Sequence, residues 1–352
     1  MDAGTIVFYK NGSSQGTAFT GISGVQHPHA TGIYSGSTIA NFGQDSTFAG
    51  NTTAGGNADD NGIGDFKYAV PSGFLALANV NLPDSTIIDV SEHFNTVLYT
   101  GNGVQDTTIS GVGFQPDWVW IKDRSGANTH VLFDSIRGGT KQLFSNLTNG
   151  EQTNTDLTNG FASDGFIVGD NLTGTGATNL NTNTYVAWNW KAGGTAVSNT
   201  DGSLTSQVSA NVDAGFSIVA WTAPNDSGTV GHGLDSTPEL IIAKPLGSGT
   251  NWYVQAPVVT AVNQVLNLDS TTAKFNPGVN HFNDTYPTST VFSYGGYLGD
   301  DLTNDDKIAF CFHSVEGYSK VGKYLGNGSA DGPYIHLGFR PSFILTKESS
   351  AT

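Results

Sequence analysis

The feature that most constrains this chain is an internal repeat. GFQPDWVWIK (113–122), STPELIIAK (236–244) and GFRPSFILTK (338–347) each set a lysine six residues after a proline: Pro116 and Lys122, Pro238 and Lys244, Pro341 and Lys347. An aromatic residue stands 17 positions ahead of each proline, at Tyr99, Trp221 and Tyr324. Further on, YVAWNWK (185–191) matches KIAFCFH (307–313), and Trp188 follows Tyr99 by 89 residues just as Phe310 follows Trp221 by 89. Equal spacings from two independent anchors mark a duplicated structural unit.

Within the repeat the apolar runs are short and are cut by Gly, Asn, Asp and Pro. FNTVLYT, WVWIK, HVLFD, GFIVG and YVAWNW are the predicted strands of one copy; FSIVAWT, ELIIAK, VVTAVNQVLNL, TVFSYG and KIAFCF are those of the other. Many short strands at this spacing predict an all-β fold of tandem antiparallel β-sandwich or jelly-roll modules, with a repeat of roughly 100–120 residues. A single helical turn is predicted at Asp89 to His93, capped by Asp or Ser. Gly101-Asn102-Gly103 and Gly326-Asn327-Gly328 supply the positive φ values of tight hairpins. The expected division is a first module with its connector over 1–83, a first repeat over 84–195 and a second over 216–318. The polar stretch 196–215 reads as a linker or a loose surface hairpin, and 319–352 as the start of a third, truncated repeat.

Composition supports strands over helices. Hydrophobic residues are 37% and charged residues 12% of the chain, against about 25% charged in ordinary globular proteins. Gly (46 residues) with abundant Asn, Thr and Ser takes the place of the missing charge. The net charge of −16, with 14 Lys and Arg, argues against nucleic acid and against an anionic membrane surface as partners. A lone Cys311 excludes an intrachain disulfide and a cysteine-ligated metal site. No apolar run reaches membrane-spanning length, and the start at Met1-Asp2 lacks a signal peptide. Those features predict release by lysis or within a larger particle, hence a virion or extracellular location without membrane insertion.

Residues 4–43 carry the hairpin FYKNG, the following QGTAF, the His-Pro loop at 27–28 and the closing ANFG. This segment resembles the C-terminal half of a SPRY domain, a concanavalin-like β-sandwich. GNADDNGIGDF, PSGFLALANVNLP, FNTVLYTGNG, GFQPDWVWIK, LFDSIRG, YVAWNWKAGG and FHSVEGYSKVGKYLGNGSADGP together resemble large structural proteins of marine bacteriophages, those of cyanobacteria in particular. The resemblance implies a tail-fibre, head-fibre or adhesin component, and it brings no catalytic residues. It also implies assembly with other copies, trimers being common among such fibres, and with other virion proteins.

The candidate site residues are few. Trp118/Trp120 and Trp188/Trp190 share strand faces and suggest a sugar-stacking platform. Their strands are apolar on both sides, however, which assigns them to a buried core. Trp252, Tyr286, Tyr294 and Tyr297, in polar, loop-like surroundings, are the candidates for exposed glycan stacking. Asn57, Asp59 and Asn61, with Gly62 and then Asp65, imitate the first positions of a calcium loop. Tyr68 occupies the place of the bidentate Glu, so a loose calcium site is weighed against a solvated turn. Asp300-Asp301 with Asp305-Asp306 reads as a charged hairpin tip, and His27 with His29 lacks an identifiable third metal ligand. No nucleophile elbow, paired-carboxylate signature or HExxH motif occurs, so no enzyme and no obligatory cofactor is expected. Glu239 aligns with Asp117 and Ser342 and reads as a turn residue. The expected function is a virion fibre protein that attaches to a host-surface glycan. The alternatives are a free lectin of a bacterial surface or matrix and a purely architectural capsid decoration protein.

Overall fold

The computed structural model describes residues 4–22, 39–81, 87–173, 175–223, 226–247, 249–296, 298 and 305–350. The chain falls into two compact units, Met1–Asp84 and Ser85–Thr352. The fold is all-β: among the described residues the helical elements are three 3-10 turns of three residues each.

In the first unit, β1 (Thr5–Lys10) and β2 (Ser13–Thr20) form a hairpin. Asn11 and Gly12 close it with φ of 50° and 80°, as the Asn-Gly pair predicts. Residues 39–81 contain no strand, and side-chain oxygens organise their turns. Asn41 Oδ1 accepts from the N–H groups of Gly43, Gln44 and Asp45. The His27–Pro28–His29 loop lies outside the described residues.

The first repeat supplies β3 (Phe94–Thr100), β4 (Thr107–Ser110), β5 (Trp118–Asp123), β6 (Val131–Asp134), β7 (Lys141–Gln142), β8 (Gln152–Thr153), β9 (Thr158–Ala162), β10 (Gly165–Val168) and β11 (Thr184–Trp190). Then come β12 (Val197–Asn199) and β13 (Ser206–Asn211). The second repeat gives β14 (Phe216–Ala223), β15 (Gly228–Gly231), β16 (Leu240–Pro245), β17 (Tyr253–Gln255), β18 (Leu266–Asn267), β19 (Val291–Tyr294) and β20 (Asp305–Phe312). The helical turn ahead of β3 is present at Val90–Glu92, and the Asp89 carboxylate accepts from Ser91 N.

These strands build a stack of four layers. The outer sheet β4-β10-β9 packs on β3-β11-β5-β6, which packs on the seven-stranded β12-β13-β14-β20-β16-β17-β18; β15-β19 closes the far side. Alternation along each strand decides what every interface contains. Val119, Ile121, Tyr185 and Ala187 face the first outer sheet with Ile109, Phe166 and Val168. Their neighbours Trp118, Trp120 and Trp190 face the other way, onto Phe216, Ile218, Ile242 and Phe310 of the second repeat. Val219, Trp221, Ile241, Ala309 and Cys311 then face Val230, Phe292 and Tyr294.

The two repeats share one register. In the first, Trp190 pairs with Phe94 on one side and Trp118 on the other. In the second, Phe312 pairs with Phe216 and Leu240. Each of these positions lies 122 residues beyond its counterpart (94 to 216, 118 to 240, 190 to 312). The repeated lysine has a structural cause as well. Lys122 Nζ donates to the carbonyls of Asp123, Gly126 and Asn128. Lys244 Nζ, fully buried, donates to those of Thr148 and Thr250. An ammonium group, with three donors, ties down a loop whose carbonyls would otherwise face apolar surroundings.

Several expectations are corrected. The repeats are not separate sandwiches joined by a linker: of the two readings of 196–215 the hairpin is present, as β12 and β13, but it extends the second sheet and is not loose, with Val208 buried in the core. Gly101-Asn102-Gly103 is not a hairpin, because β3 and β4 belong to different sheets. Asn179 holds that crossing instead, its Oδ1 accepting from Asn102 N and its Nδ2 donating to Val104 O. VVTAVNQVLNL is mostly turn, and strand remains at Leu266–Asn267 alone. Residues 319–350 contain no strand, although they repeat strand sequence.

Candidate functional site

Trp118, Trp120 and Trp190 are 2%, 5% and 7% exposed, which settles the stacking platform in favour of core. Trp118 stacks on Phe310 at 4.1 Å and 17° and meets Trp190 at 4.5 Å. Trp252 is fully buried in the same cluster, its indole N–H donating to Phe144 O at 2.9 Å. Tyr294 is buried against Trp221. Both are corrections to the expectation of exposed aromatics. The local sequence around each is polar, but both rings find distant apolar partners. Tyr286 is 38% exposed, and its hydroxyl donates to Thr260 O. Tyr297 and Asp300-Asp301 lie outside the described residues.

The Asn57–Asp65 loop is braced by its own backbone. Asp59 Oδ1 accepts from Asn61 N and Ile63 N, and its Oδ2 from Ala76 N and Asn81 Nδ2. Asp65 accepts from Ser46 N and Gly56 N. Asn57 Nδ2 donates to the carbonyls of Gly55, Phe66 and Lys67. Asn61 Nδ2 donates to Asn81 Oδ1. Burial pushes the Asp59 carboxyl up, and these donors together outweigh that and hold it below the ordinary value. Among the described residues, no three of His, Cys, Asp and Glu gather as a metal-binding set.

The structure points to a different place, a groove of about 360 Å³ at the end of the first repeat's inner sheet. Gln115 and Asp117 come from the run into β5, Ser135 and Ile136 from the turn after β6, Phe161 from β9, and Gly194–Ala196 from the chain leaving β11. Asp117 is 2% exposed. Its backbone is fixed on both sides: its N–H donates to Trp190 O and its carbonyl accepts from Ser135 N, each at 2.8 Å. Oδ2 accepts from Ala192 N and Gly194 N. Oδ1 is buried without a hydrogen-bond partner, and so is the Ser135 hydroxyl oxygen on the same wall.

An ion network anchors that wall. Asp134 Oδ1 accepts from Ile136 N and Arg137 N, while the Arg137 guanidinium reaches Asp134 Oδ2 at 2.6 Å and Glu151 at 3.3 Å. Glu151 also pairs with Lys141 at 2.9 Å. With Arg137 spent on Asp134 and Glu151, the acceptors of this wall are a buried carboxylate oxygen, a buried hydroxyl and the Gln115 amide, beside the half-buried Phe161 ring. A carboxylate oxygen buried without a donor is costly, so the site favours a ligand or solvent that donates hydrogen bonds. The sequence held a signal for this residue. An acid recurs at the same repeat position, Asp117 and Glu239, directly ahead of a buried strand.

Glu239 performs the pinning half of the same task. Its Oε2 accepts from Ser314 N at 2.7 Å and from the Ser314 hydroxyl. Ser314 lies 122 residues beyond Ala192, so the carboxylate clamp on the chain leaving the central strand is itself part of the repeat.

No helix among the described residues is long and apolar enough to cross a membrane. No curated protein and no solved structure matches the chain. A family model described as Domain of unknown function (DUF7483) matches residues 89–352, which take in both repeats and the segment after them. The chain belongs to the DUF7483 family.

Proposed function

We propose that this chain is a structural attachment protein of a virion appendage, a tail or head fibre, and that the Asp117 groove holds a hydroxyl-rich ligand such as a host-surface glycan. The observation that carries the binding half of this reading is the buried, unpartnered Asp117 Oδ1 beside the Ser135 hydroxyl. A sugar presents hydroxyl donors to such acceptors and a C–H face to an aromatic ring. The groove has acceptors on one wall and Phe161 on another, as orientation by a few placed polar groups in a largely apolar pocket requires. The structural half rests on the resemblance to marine phage fibre proteins and on a repeat architecture whose apolar faces are spent on packing. No catalytic role is assigned to any residue.

A glycan array followed by calorimetry on the best ligand tests it. Asp117→Asn is the informative variant: the amide oxygen keeps the bonds from Ala192 and Gly194, while Oδ1 is replaced by a donor. Losing a hydrogen bond to a charged acceptor costs about 1.5–3 kcal/mol, so affinity falls roughly 10- to 100-fold with the fold intact. Equal affinity of the variant removes Asp117 from the site. Absence of any saccharide ligand, with the chain still self-associating, favours the architectural reading.

A further inference from the structure

The groove at the end of the first repeat's inner sheet holds a charge that nothing beside it balances. Of the residues that line it, Asp117 alone is charged. With the adjoining wall, three carboxylates (Asp117, Asp134 and Glu151) stand against two cations, Arg137 and Lys141. Both cations are committed elsewhere: Arg137 to Asp134 at 2.6 Å and to Glu151 at 3.3 Å, Lys141 to Glu151 at 2.9 Å. Lys191 is adjacent in sequence to Ala192, whose N–H Asp117 accepts, but its ammonium lies over the Phe114 ring at 5.9 Å. The donors that Asp117 Oδ2 receives, Ala192 N and Gly194 N, are neutral, and Oδ1 receives none. One negative charge is left over.

That charge is buried, since Asp117 is 2% exposed. It therefore acts on the groove through protein, where salt screens it far less than it screens an exposed charge. A buried charge without a counter-charge is costly. A cation in the groove relieves that cost, and a second anion adds to it. The other groups of the groove do not discriminate in this way. The Ser135 hydroxyl can accept or donate, and Phe161 offers a ring face that suits the C–H face of a sugar of any charge.

We propose that the groove selects its ligand by charge: it takes a glycan with a free amino group, whose ammonium supplies the missing counter-charge, ahead of the neutral sugar, and it excludes uronic, sialic and sulfated glycans. This rests on the glycan reading of the groove and narrows it to one class. Asp117 is the residue that sets the preference.

The test is an array of glucose, galactose and mannose oligomers, each in its neutral, amino-sugar and uronic form, followed by calorimetry on the full chain. The amino form should bind about tenfold tighter than the neutral form of the same sugar, as a charge-assisted hydrogen bond exceeds a neutral one. The uronic forms should not bind. A chain of net charge −16 attracts cations over its whole surface, so the ratio is measured again in about 1 M salt, where exposed charges are screened within about 3 Å. It should persist there. Asp117→Asn should bring the amino and neutral forms to parity, while Glu239→Gln, at the same repeat position, leaves the preference unchanged. Parity in the wild type, a uronic form as tight as the neutral one, or a preference that salt abolishes overturns the proposal, and none of these arms needs a variant. A preference that survives Asp117→Asn overturns it too. In each of those cases neutral sugar binding leaves the glycan reading standing; binding of no sugar removes that reading and the proposal with it.

Discussion

The two repeats share a register and differ in how they use it. Both clamp the chain leaving the central strand with a carboxylate, and both lash a loop with a lysine, half-buried at Lys122 and fully buried at Lys244. In the first copy the clamp is Asp117, buried and left with a spare oxygen at a groove. In the second it is the longer Glu239, whose Oε2 takes both donors of Ser314. A second pair shows that the bond, not the residue, is what both copies keep. Asp123 accepts from Ser125 N and from Asn183 Nδ2. At the corresponding positions 122 residues on, the Pro245 side chain cannot accept, and Asp305, standing where Asn183 stood, accepts from Gly247 N instead. Duplication with exchange of partners lets one copy satisfy its clamp carboxylate while the other leaves a buried oxygen without a donor.

The largest expected contrast lies at the interface between the repeats. Trp118→Ala should cost about 3–5 kcal/mol, as for large aromatic truncations in a core. Leu240→Ala, at the matching but half-buried position, should cost less than about 2 kcal/mol on the same reasoning. Chemical denaturation of both variants checks the order, and equal losses would mean that the two faces are not packed alike.

Acid should come next, and it reaches both copies. Burial, with Lys122 nearby, lowers the His130 pKa from the ordinary 6.5 to about 4 in the first repeat. Burial alone does the same to His281 in the second. A folded-state pKa below the unfolded one means that the unfolded chain takes the proton first. Stability is therefore complete above about pH 6.5 and falls as the pH drops towards 4. Thermal melts across that window should show the midpoint dropping, and His130→Gln, which cannot be protonated, should flatten part of the slope.

A smaller contrast separates the two lysines. Lys244→Met strips a fully buried donor from two carbonyls and should cost about 1–3 kcal/mol; Lys122→Met, half-buried with water at hand, should cost less. Smallest of all, Asp117→Asn and Glu239→Gln both keep an acceptor oxygen and should each change stability by less than about 1 kcal/mol. Of the two, only Asp117→Asn should affect ligand binding.

Much of this was legible in the sequence. FNTVLYT is β3 residue for residue, the repeat anchors fell on equivalent strands, and apolar residues on both faces of WVWIK announced a central strand. The partner of each face was not legible. Trp118 meets Phe310 across 192 residues of chain, and alternation says that a face is buried without saying against what. Trp252 and Tyr294 misled for the same reason, since a polar neighbourhood in sequence does not reveal a distant carbonyl or ring. Ser, Asn and Gln at 197–211 leave linker and hairpin equally open in the sequence, and only the inward Val208 ties the hairpin to the core. Asp117 was visible as a repeated acid. Its unpartnered oxygen is a property of three-dimensional packing alone.

The central claim is that the two repeats are halves of one core, so that the groove sits on a single rigid body. All six tryptophans lie between residues 118 and 252, and their emission therefore reports on this unit alone. Phe292→Ala, placed in the second repeat's outer interface far in sequence from Trp118, should be followed by tryptophan fluorescence and by amide exchange in β5 and β16 under increasing denaturant. One transition, shifted for both strands together, is the predicted result. Two transitions, with β5 keeping its wild-type midpoint while β16 unfolds early, would contradict the shared core.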